Sequence, residues 1–388
     1  KPYASQLHTR RIQILDESAL ERAKVRIPYD DRSRILHIQA RVTKPNGDVV
    51  ESPADRFVEL PRYQEGSPAA QLYNDEGYKL TKVSDAEVGD VIELSYLRVF
   101  RDPRWVEPIR IGGELPVVRG EVVVNHPRAF DVDFRVTKLG RAVSSRPVKL
   151  PQSVKGPSGD GEGVPGQRLV FVFENEPAIY PEERRPDVEA LATQVHVQLK
   201  SYELRAQRYD GYRSWDDVAS WYRELTAGTD MPDASVEQAV KASGGKHGTT
   251  AQKLRRVQRY LQDRIGDVPT FLNLAALPKH PPRDLLIVQL GDAKDQASLG
   301  LAMLRHMGID GFPVLVSRLG SFAVVPDLPT PAPFNHVILA VPAGGAYQFI
   351  DPSTPQLPLG RLPGPLQGQV GLLVRPDRAE LIDLPQDE

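Results

Sequence analysis

The chain has 388 residues, of which 40% are hydrophobic and 26% charged, values that are typical of a globular protein long enough for two domains. The formal net charge of -2, with both signs interspersed, argues against a nucleic-acid-binding surface or a polybasic membrane patch. The chain contains no cysteine, which excludes disulfides, and no apolar run approaches the ~18–20 residues of a membrane span.

The first 200 or so residues contain short alternations of polar and apolar residues that are separated by turn residues. The predicted strands lie at 11–15, 35–42, 91–99, 120–124, 130–136 and 168–173. Such period-2 runs, broken by Pro, Gly, Asn and Asp, predict an antiparallel β-sandwich, and we assign residues 1–205 to it. The Gly-, Pro- and Ser-rich stretch 153–167 is predicted to be a flexible loop within this domain.

The pattern becomes helical from about residue 213, where Ser214 precedes two aspartates and predicts a helix start. Further helices are predicted at 234–243, 250–265 and 294–307, with a proline-rich loop at 268–283 and strands at 312–317, 335–341 and 347–351. The helix at 294–307 is apolar on most sides, which predicts burial, and Gly308 ends it. A buried helix followed by antiparallel strands predicts a second, α+β domain over 206–388.

The last two of these strands flank a Pro-Ala-Gly-Gly segment that predicts a hairpin. If the hairpin is symmetric about Ala343 and Gly344, His336 lies directly opposite Asp351, with Cβ atoms about 4.5–5.5 Å apart. At that separation a carboxylate can hold an imidazole N–H, fix its tautomer and stabilise the imidazolium. The same face is apolar, which strengthens the interaction. The sequence therefore predicts an oriented His–Asp pair at the open end of a hairpin.

Position 293 lies at the start of the buried helix. A thiol at this position would be acidified by the helix dipole and by a nearby His⁺, and the backbone N–H could help to hold an oxyanion. Ala293 provides no attacking atom. Asp292 is expected to favour the helix dipole, and Lys294 to be either a solvated cation or a charge that biases a thiolate. Asn335 is expected to orient a loop or a substrate amide.

Several alternatives bear on this site. A lone His–Asp pair on a hairpin can be purely structural, but the combination with a helix start in this chain order favours a catalytic arrangement. Ser298 lies more than a helical turn past the site and is a poor substitute nucleophile. His280, His306 and His336 lack the spacing of metal ligands, so we expect no metal and no other cofactor.

These motifs resemble the bacterial transglutaminase-like superfamily, in the arrangement where such a domain follows a β-rich domain called DUF3857. The N-terminal segments 10–15, 44–47 and 88–94 are similar to recurring segments of that domain, and 214–222 is similar to the segment that joins the two domains. Gly291-Asp292-Ala293-Lys294-Asp295 resembles the Gly-Asp-Cys-Lys-Asp motif of the superfamily, and Phe334-Asn335-His336 and Asp351-Pro352 resemble its His and Asp motifs. The resemblance implies a papain-like triad at 293, His336 and Asp351, with Ala293 as the departure.

The resemblance implies acyl transfer at an amide, either hydrolysis or transamidation, and leaves two interpretations open. In one, the parent protein has cysteine at 293 and alanine is an inactive variant. In the other, Ala293 is natural and the domain is a non-catalytic module that binds a peptide or protein. The resemblance also implies an exported, periplasmic or cell-surface protein with further domains, and it places an oxyanion donor in the 266–290 loop. Both ends of the chain look cut from a longer protein.

Overall fold

The computed structural model describes all residues except 1–3, 31, 53–56, 62–76, 84, 155–162, 181–187, 205–206, 269–279, 319–321, 355–356 and 387–388. The chain divides into two compact units, 1–106 and 107–388. The predicted domain boundary at 205 falls inside the second of these units and stays a prediction. Much of the predicted loop 153–167 lies outside the described residues, and its two ends belong to strands.

The first unit contains two antiparallel sheets. The larger has the order β1-β7-β3-β4 and the smaller the order β2-β6-β5. Their bounds are β1 Ala4–Gln13, β2 Lys24–Tyr29, β3 Ser33–Thr43, β4 Val49–Ser52, β5 Val58–Pro61, β6 Gly77–Lys82 and β7 Val91–Phe100. One apolar cluster includes Ile27 from β2 and Val42 and Ile92 from β3 and β7. The strands predicted at 35–42 and 91–99 are therefore confirmed, and they pair with each other.

The second unit begins with two further antiparallel sheets, ordered β11-β10-β14-β15, with β8 on β14, and β12-β13-β9. Their bounds are β8 Ile109–Ile111, β9 Val117–Pro127, β10 Asp131–Lys138, β11 Arg141–Val143, β12 Val148–Val154, β13 Val164–Glu176, β14 Thr193–Leu204 and β15 Gln207–Asp210. Val122 and Phe171 from one sheet share a core with Val136 and Val195 from the other. Two antiparallel sheets around one core form the predicted β-sandwich.

The helices follow, with a short one before β14. Their bounds are α1 Val188–Leu191, α2 Trp215–Leu225, α3 Ala234–Ala242, α4 Thr250–Arg264, α5 Pro282–Val288 and α6 Ala293–His306. The Ser214 and Asp217 side chains form a reciprocal capping box at α2, as the start signal predicts. The sequence analysis missed α5, because one or two turns give too few repeats for a helical period. No helix among the described residues is long and apolar enough to span a membrane.

The remaining strands form an antiparallel sheet of order β20-β19-β18-β21-β22 and a two-stranded parallel pair, β16 with β17. Their bounds are β16 Gly266–Asp267, β17 Leu290–Gly291, β18 Phe312–Val316, β19 His336–Ala343, β20 Ala346–Ile350, β21 Val370–Val374 and β22 Ala379–Asp383. The sequence analysis did not predict β21 and β22. Helix α2 contacts their turn, where Arg223 donates to the Arg375 carbonyl at 2.5 Å. Helices and mostly antiparallel strands make the chain an α+β protein, as predicted.

Helix α6 packs closely against β19 at Gly300. A Cβ at this position would lie 2.8 Å from Leu339 Cδ1 and 3.2 Å from Leu261 Cδ1, so both leucine side chains would have to shift to admit it. Further along, Gly311 lies beside both Leu301 and Val341. A short connection joins α6 to β18, and β18 is antiparallel to β19, so the helix and β19 run in the same general direction. Their first residues therefore lie at the same end of the sheet.

Adding a methyl group at Gly300 tests this contact. We expect Gly300→Ala to lower the free energy of unfolding, because Leu339 and Leu261 are fully buried and have little space to shift. Overpacking costs about 1–3 kcal/mol, against a helix-propensity gain of about 1 kcal/mol. Denaturant unfolding measures the change. Gly364→Ala is the control, since a Cβ there meets nothing within 4 Å. Equal stabilities for the two variants would contradict the close packing.

Candidate active site

The His336–Asp351 pair forms, but through a register that differs from the predicted one. Leu339 lies opposite Ile350, whereas the symmetric hairpin predicts that it lies opposite Gln348. The difference arises because the turn consists of Gly344 and Gly345. Both glycines have positive φ, +60° and +88°, as a two-residue hairpin turn of the primed type requires. The symmetric register was therefore wrong by two residues. Side chains alternate with a period of two, so the shift leaves Asp351 on the predicted face.

His336 and Asp351 are now diagonal neighbours, and their side chains meet. His336 Nε2 lies 3.1 Å from Asp351 Oδ1, and both side chains are buried. Oδ1 also accepts from the Ser353 N–H at 3.1 Å and from its hydroxyl at 3.0 Å, while Oδ2 accepts from the Thr354 hydroxyl at 2.6 Å. Three neighbours thus fix the orientation of the carboxylate.

The electrostatic surroundings keep this carboxylate ionised. Burial acts to raise the pKa of Asp351, but the charge and hydrogen bond of His336, the Thr354 hydroxyl and the Arg318 guanidinium outweigh it and hold the pKa well below its usual value. An ionised carboxylate can only accept hydrogen bonds, so His336 Nε2 carries the proton in this pair. Nδ1 is then the ring nitrogen that can accept a proton from another group.

Asp351→Asn tests the role of this charge in stability. The folded pKa is depressed, so the contribution is complete above the unfolded pKa and is lost as the pH falls through the folded pKa. We expect the variant to be less stable than the parent by about 1–3 kcal/mol at pH 7, with a difference that shrinks below about pH 4. Unfolding at several pH values measures it. A loss as small as that of Asp310→Asn, a change at an exposed aspartate, would contradict the assignment.

Position 293 is the first residue of α6. The Ala293 side chain is 7% exposed, and the N-cap residue Asp292 accepts a hydrogen bond from the Asp295 N–H at 2.8 Å. Since α6 and β19 begin at the same end of the sheet, Ala293 and His336 share that end. His336 belongs to the face of Ile338, whereas Leu339 on the other face contacts the helix. The structure thus bonds His336 to Asp351 and brings the helix start to the same end of the sheet.

The acidic residues beside Ala293 form a buried ionic cluster. Lys294 Nζ lies 2.8 Å from Asp295 Oδ1 and 3.5 Å from Asp292 Oδ2, and all three side chains are at most 2% exposed. Lys294 is therefore not a solvated cation. Asp295 Oδ2 also lies 2.8 Å from His280 Nδ1, a contact that the sequence analysis missed. No local pattern reports it, because His280 is fifteen residues away in a proline-rich segment.

This cluster holds its two carboxyl groups at different pKa values. Burial and the charge of Asp295 raise the pKa of Asp292 to about 7. Burial also acts on Asp295, but Lys294 and His280 outweigh it and lower the pKa of Asp295. Burial acts to lower the pKa of Lys294, and the two aspartates raise it. Lys294 therefore stays charged and compensates one carboxylate of the pair.

Asp292→Asn tests this cluster, because asparagine keeps the N-cap but cannot ionise. The folded pKa of Asp292 lies above its unfolded value, so the parent loses stability as the pH rises from about 4 to 7. We expect the free energy of unfolding to shift in favour of the variant across this window, as measured by denaturant unfolding. Asp233→Asn at the N-cap of α3 is the control, because the pKa of Asp233 is lowered. A pH-independent difference for Asp292→Asn would contradict the raised pKa.

The Asn335 side chain binds the backbone of Arg318, and its role toward a substrate amide stays a prediction. Its Oδ1 accepts from the Arg318 N–H at 2.7 Å, and its Nδ2 donates to the Arg318 carbonyl at 2.5 Å. The sequence analysis did not single out Arg318. Candidates for the oxyanion donor at 269–279 lie outside the described residues. Within the described parts of the chain, no group of three or more His, Asp or Glu could hold a metal ion.

A cavity of about 590 Å³ lies elsewhere in the second unit, at the β-sandwich. Its lining includes His126, Arg128 and Lys149, and none of the predicted site residues. The volume of a cavity therefore does not locate the predicted site, which depends on buried side chains at the starts of α6 and β19.

Comparison with solved structures identifies the fold. The chain has the fold of a Parabacteroides distasonis protein named "putative protease", with a TM-score of 0.72 at 14% identity over 99% of this chain and 69% of that one. A Cytophaga hutchinsonii protein named "putative cysteine protease" also matches, at 10% identity over 91% of this chain and 79% of that one, but with a TM-score of 0.24. That value is too low for a structural argument.

Comparison with family models adds one match. Residues 5–154 match the model of DUF3857, a domain of unknown function with a solved structure. The match runs from β1 to the end of β12 and so includes both sheets of the first unit and part of the sandwich in the second. No curated protein matches the chain significantly.

Proposed function

We propose that the second unit carries a transglutaminase-like, papain-like acyl-transfer site in which alanine occupies the nucleophile position. The observation that carries this proposal is the 3.1 Å contact between His336 Nε2 and Asp351 Oδ1 in a buried setting. Ala293 at the start of α6, at the same end of the sheet, supports it. The fold shared with a protein named as a protease is compatible with peptide or protein substrates.

The chemistry requires a cysteine at 293. His336 Nδ1 would accept the thiol proton, and the thiolate would attack an amide carbonyl carbon. Collapse of the tetrahedral intermediate would break the C–N bond, with the same proton passing from Nδ1 to the leaving amine. Water or a second amine would then cleave the thioester, which gives hydrolysis or transamidation. Asp351 would stabilise the imidazolium throughout, and backbone N–H groups at the start of α6 would favour the developing negative charge.

A second candidate function rests on Ala293 itself. With alanine at 293 and no cysteine elsewhere, the chain cannot form a thioester. The same unit would then serve as a non-catalytic module that binds a peptide or protein. The His336–Asp351 pair would then stabilise the hairpin, a role that its burial and its links to Ser353 and Thr354 favour.

Ala293→Cys distinguishes the two candidates through the reactivity of the new thiol. We expect its alkylation by iodoacetamide at pH 6 to be about tenfold faster than that of an ordinary thiol, because an imidazole and a helix N-terminus favour the thiolate. The pH dependence of the alkylation rate measures the thiol pKa. Introducing His336→Ala alongside Ala293→Cys should remove the advantage.

Ala234→Cys is the matched control for this experiment. Ala234 is exposed and is also the first residue of a helix with an aspartate N-cap, but its helix lacks the His–Asp pair. If the thiol at 293 reacts no faster than the thiol at 234, the acyl-transfer proposal fails and the binding module is favoured.

A further inference from the structure

The backbone of Arg318 is anchored to the residue that precedes His336. Strand β18 ends at Val316, which lies opposite His336. Two residues further on, the Asn335 amide accepts from the Arg318 N–H and donates to the Arg318 carbonyl, at 2.7 and 2.5 Å. The Asn335 side-chain amide therefore makes two hydrogen bonds to the Arg318 backbone, as the next backbone pair of the β18–β19 ladder would do. It holds the Arg318 backbone beside the start of β19.

The Arg318 side chain reaches the loop that carries Asp351. Its Nη1 donates to the Ser353 hydroxyl at 3.2 Å, and that hydroxyl donates to Asp351 Oδ1 at 3.0 Å. A serine hydroxyl has one proton and two lone pairs, so it can make both bonds at once. Since Asp351 Oδ1 also contacts His336 Nε2, the bonds close a ring that runs from His336 through the loop to Arg318 and back through Asn335.

The charge of Arg318 has a specific task in this ring. A buried carboxylate is unfavourable unless a cation or hydrogen bonds compensate it. Among the described residues, the charged groups with the largest effects on Asp351 are His336 from β19 and, more weakly, Arg318 from the segment after β18. Helix α4 contributes two neutral amides to this loop, from Gln258 and Gln262, which bind backbone carbonyls of the loop. His336 is neutral whenever it acts as a base, whereas a guanidinium keeps its charge at every relevant pH.

We propose that Arg318 is a positioning residue for the His336–Asp351 pair. Together with His336 and Thr354 it keeps the Asp351 carboxylate ionised, and through Ser353 it keeps Oδ1 directed at His336 Nε2, so that Nδ1 remains the nitrogen that accepts a proton. The catalytic meaning of this role rests on the proposed function. The arrangement itself is a property of the chain with alanine at 293.

The experiment is an NMR pH titration of the imidazole nitrogens of His336, in protein labelled with ¹⁵N-histidine and with alanine retained at 293. His336→Gln identifies the resonances. In Arg318→Gln we expect the acid step by which Asp351 protonates, read from the His336 nitrogens, to move to higher pH, because a cation that favours the carboxylate is lost. Arg318→Lys should move it less, because lysine restores the charge but not the planar fork. Ser353→Ala should shift the step in the same direction as Arg318→Gln.

Arg375→Gln is the control for the change in charge. Its Nη1 lies 3.3 Å from the Tyr347 hydroxyl, at the start of β20, so it binds the opposite end of the same sheet. In Arg375→Gln the acid step of Asp351 should occur at the same pH as in the parent. If the titration curve of Arg318→Gln superimposes on that of the parent, the inference is overturned. If Arg318→Gln does not fold, the titration of Ser353→Ala decides in its place, and an unmoved step there overturns the inference equally.

This titration fails or succeeds independently of the acyl-transfer proposal, because it needs neither a nucleophile nor turnover. A shifted step together with an unreactive thiol at 293 would support Arg318 as the positioning residue of a structural pair and reject the enzyme. If the acid step stays at the pH of the parent while the thiol at 293 is reactive, the positioning role of Arg318 is rejected and the acyl-transfer proposal is supported.

Discussion

The close contact between α6 and β19 is the constraint on which the arrangement of the candidate site depends. At Gly300 a Cβ would meet the side-chain ends of Leu339 and Leu261, so the helix lies close against the strand and α4. A short connection joins α6 to β18, and β18 is antiparallel to β19, so the helix and β19 run in the same direction. The positive end of a helix dipole and the first residue of a strand therefore emerge at one end of the sheet.

At that end the protein buries carboxylates in two different ways. Asp351 is held ionised by His336, by the Thr354 hydroxyl and by the Arg318 guanidinium, with Oδ1 directed at the imidazole. Asp292 and Asp295 instead share one buried lysine, and their pKa values move apart because a single cation cannot compensate both. The first arrangement presents a polarised imidazole. The second secures the start of α6 and fixes the backbone of position 293.

Position 293 is accordingly more constrained than its small side chain suggests. Its neighbours on both sides are tied into the ionic cluster, and the helix behind it is buried through Leu304. Lys294 is committed to the two aspartates, so any effect of charge on a thiol at 293 would come chiefly from the helix dipole and from His336. The alanine therefore occupies a position that the surrounding residues hold in place.

The sequence by itself determined part of the secondary structure and the pairing of His336 with Asp351. The period-2 runs predicted β9, β10 and β13 of the sandwich, and the apolar run predicted α6. Gly344 and Gly345 marked a turn. Each prediction depends only on residues close together in the chain. The predicted contact between His336 and Asp351 is present although the predicted register was wrong, because a shift of two residues leaves each side chain on the same face of the strand. The triad role of position 293, the domain boundary at 205 and the cellular location stay predictions.

Only the tertiary structure decided the rest. The burial of Lys294, the contact of His280 with Asp295 and the ring through Arg318 all join residues whose local patterns are those of ordinary loops and helix starts. Strands β21 and β22 also became recognisable only by pairing with β18 and with each other. The physical reason is that hydrophobic periodicity reports which face of an element is buried. Which residue pairs with a buried charge depends on the segment that the fold places beside it, and hydrophobic periodicity carries no information on that contact.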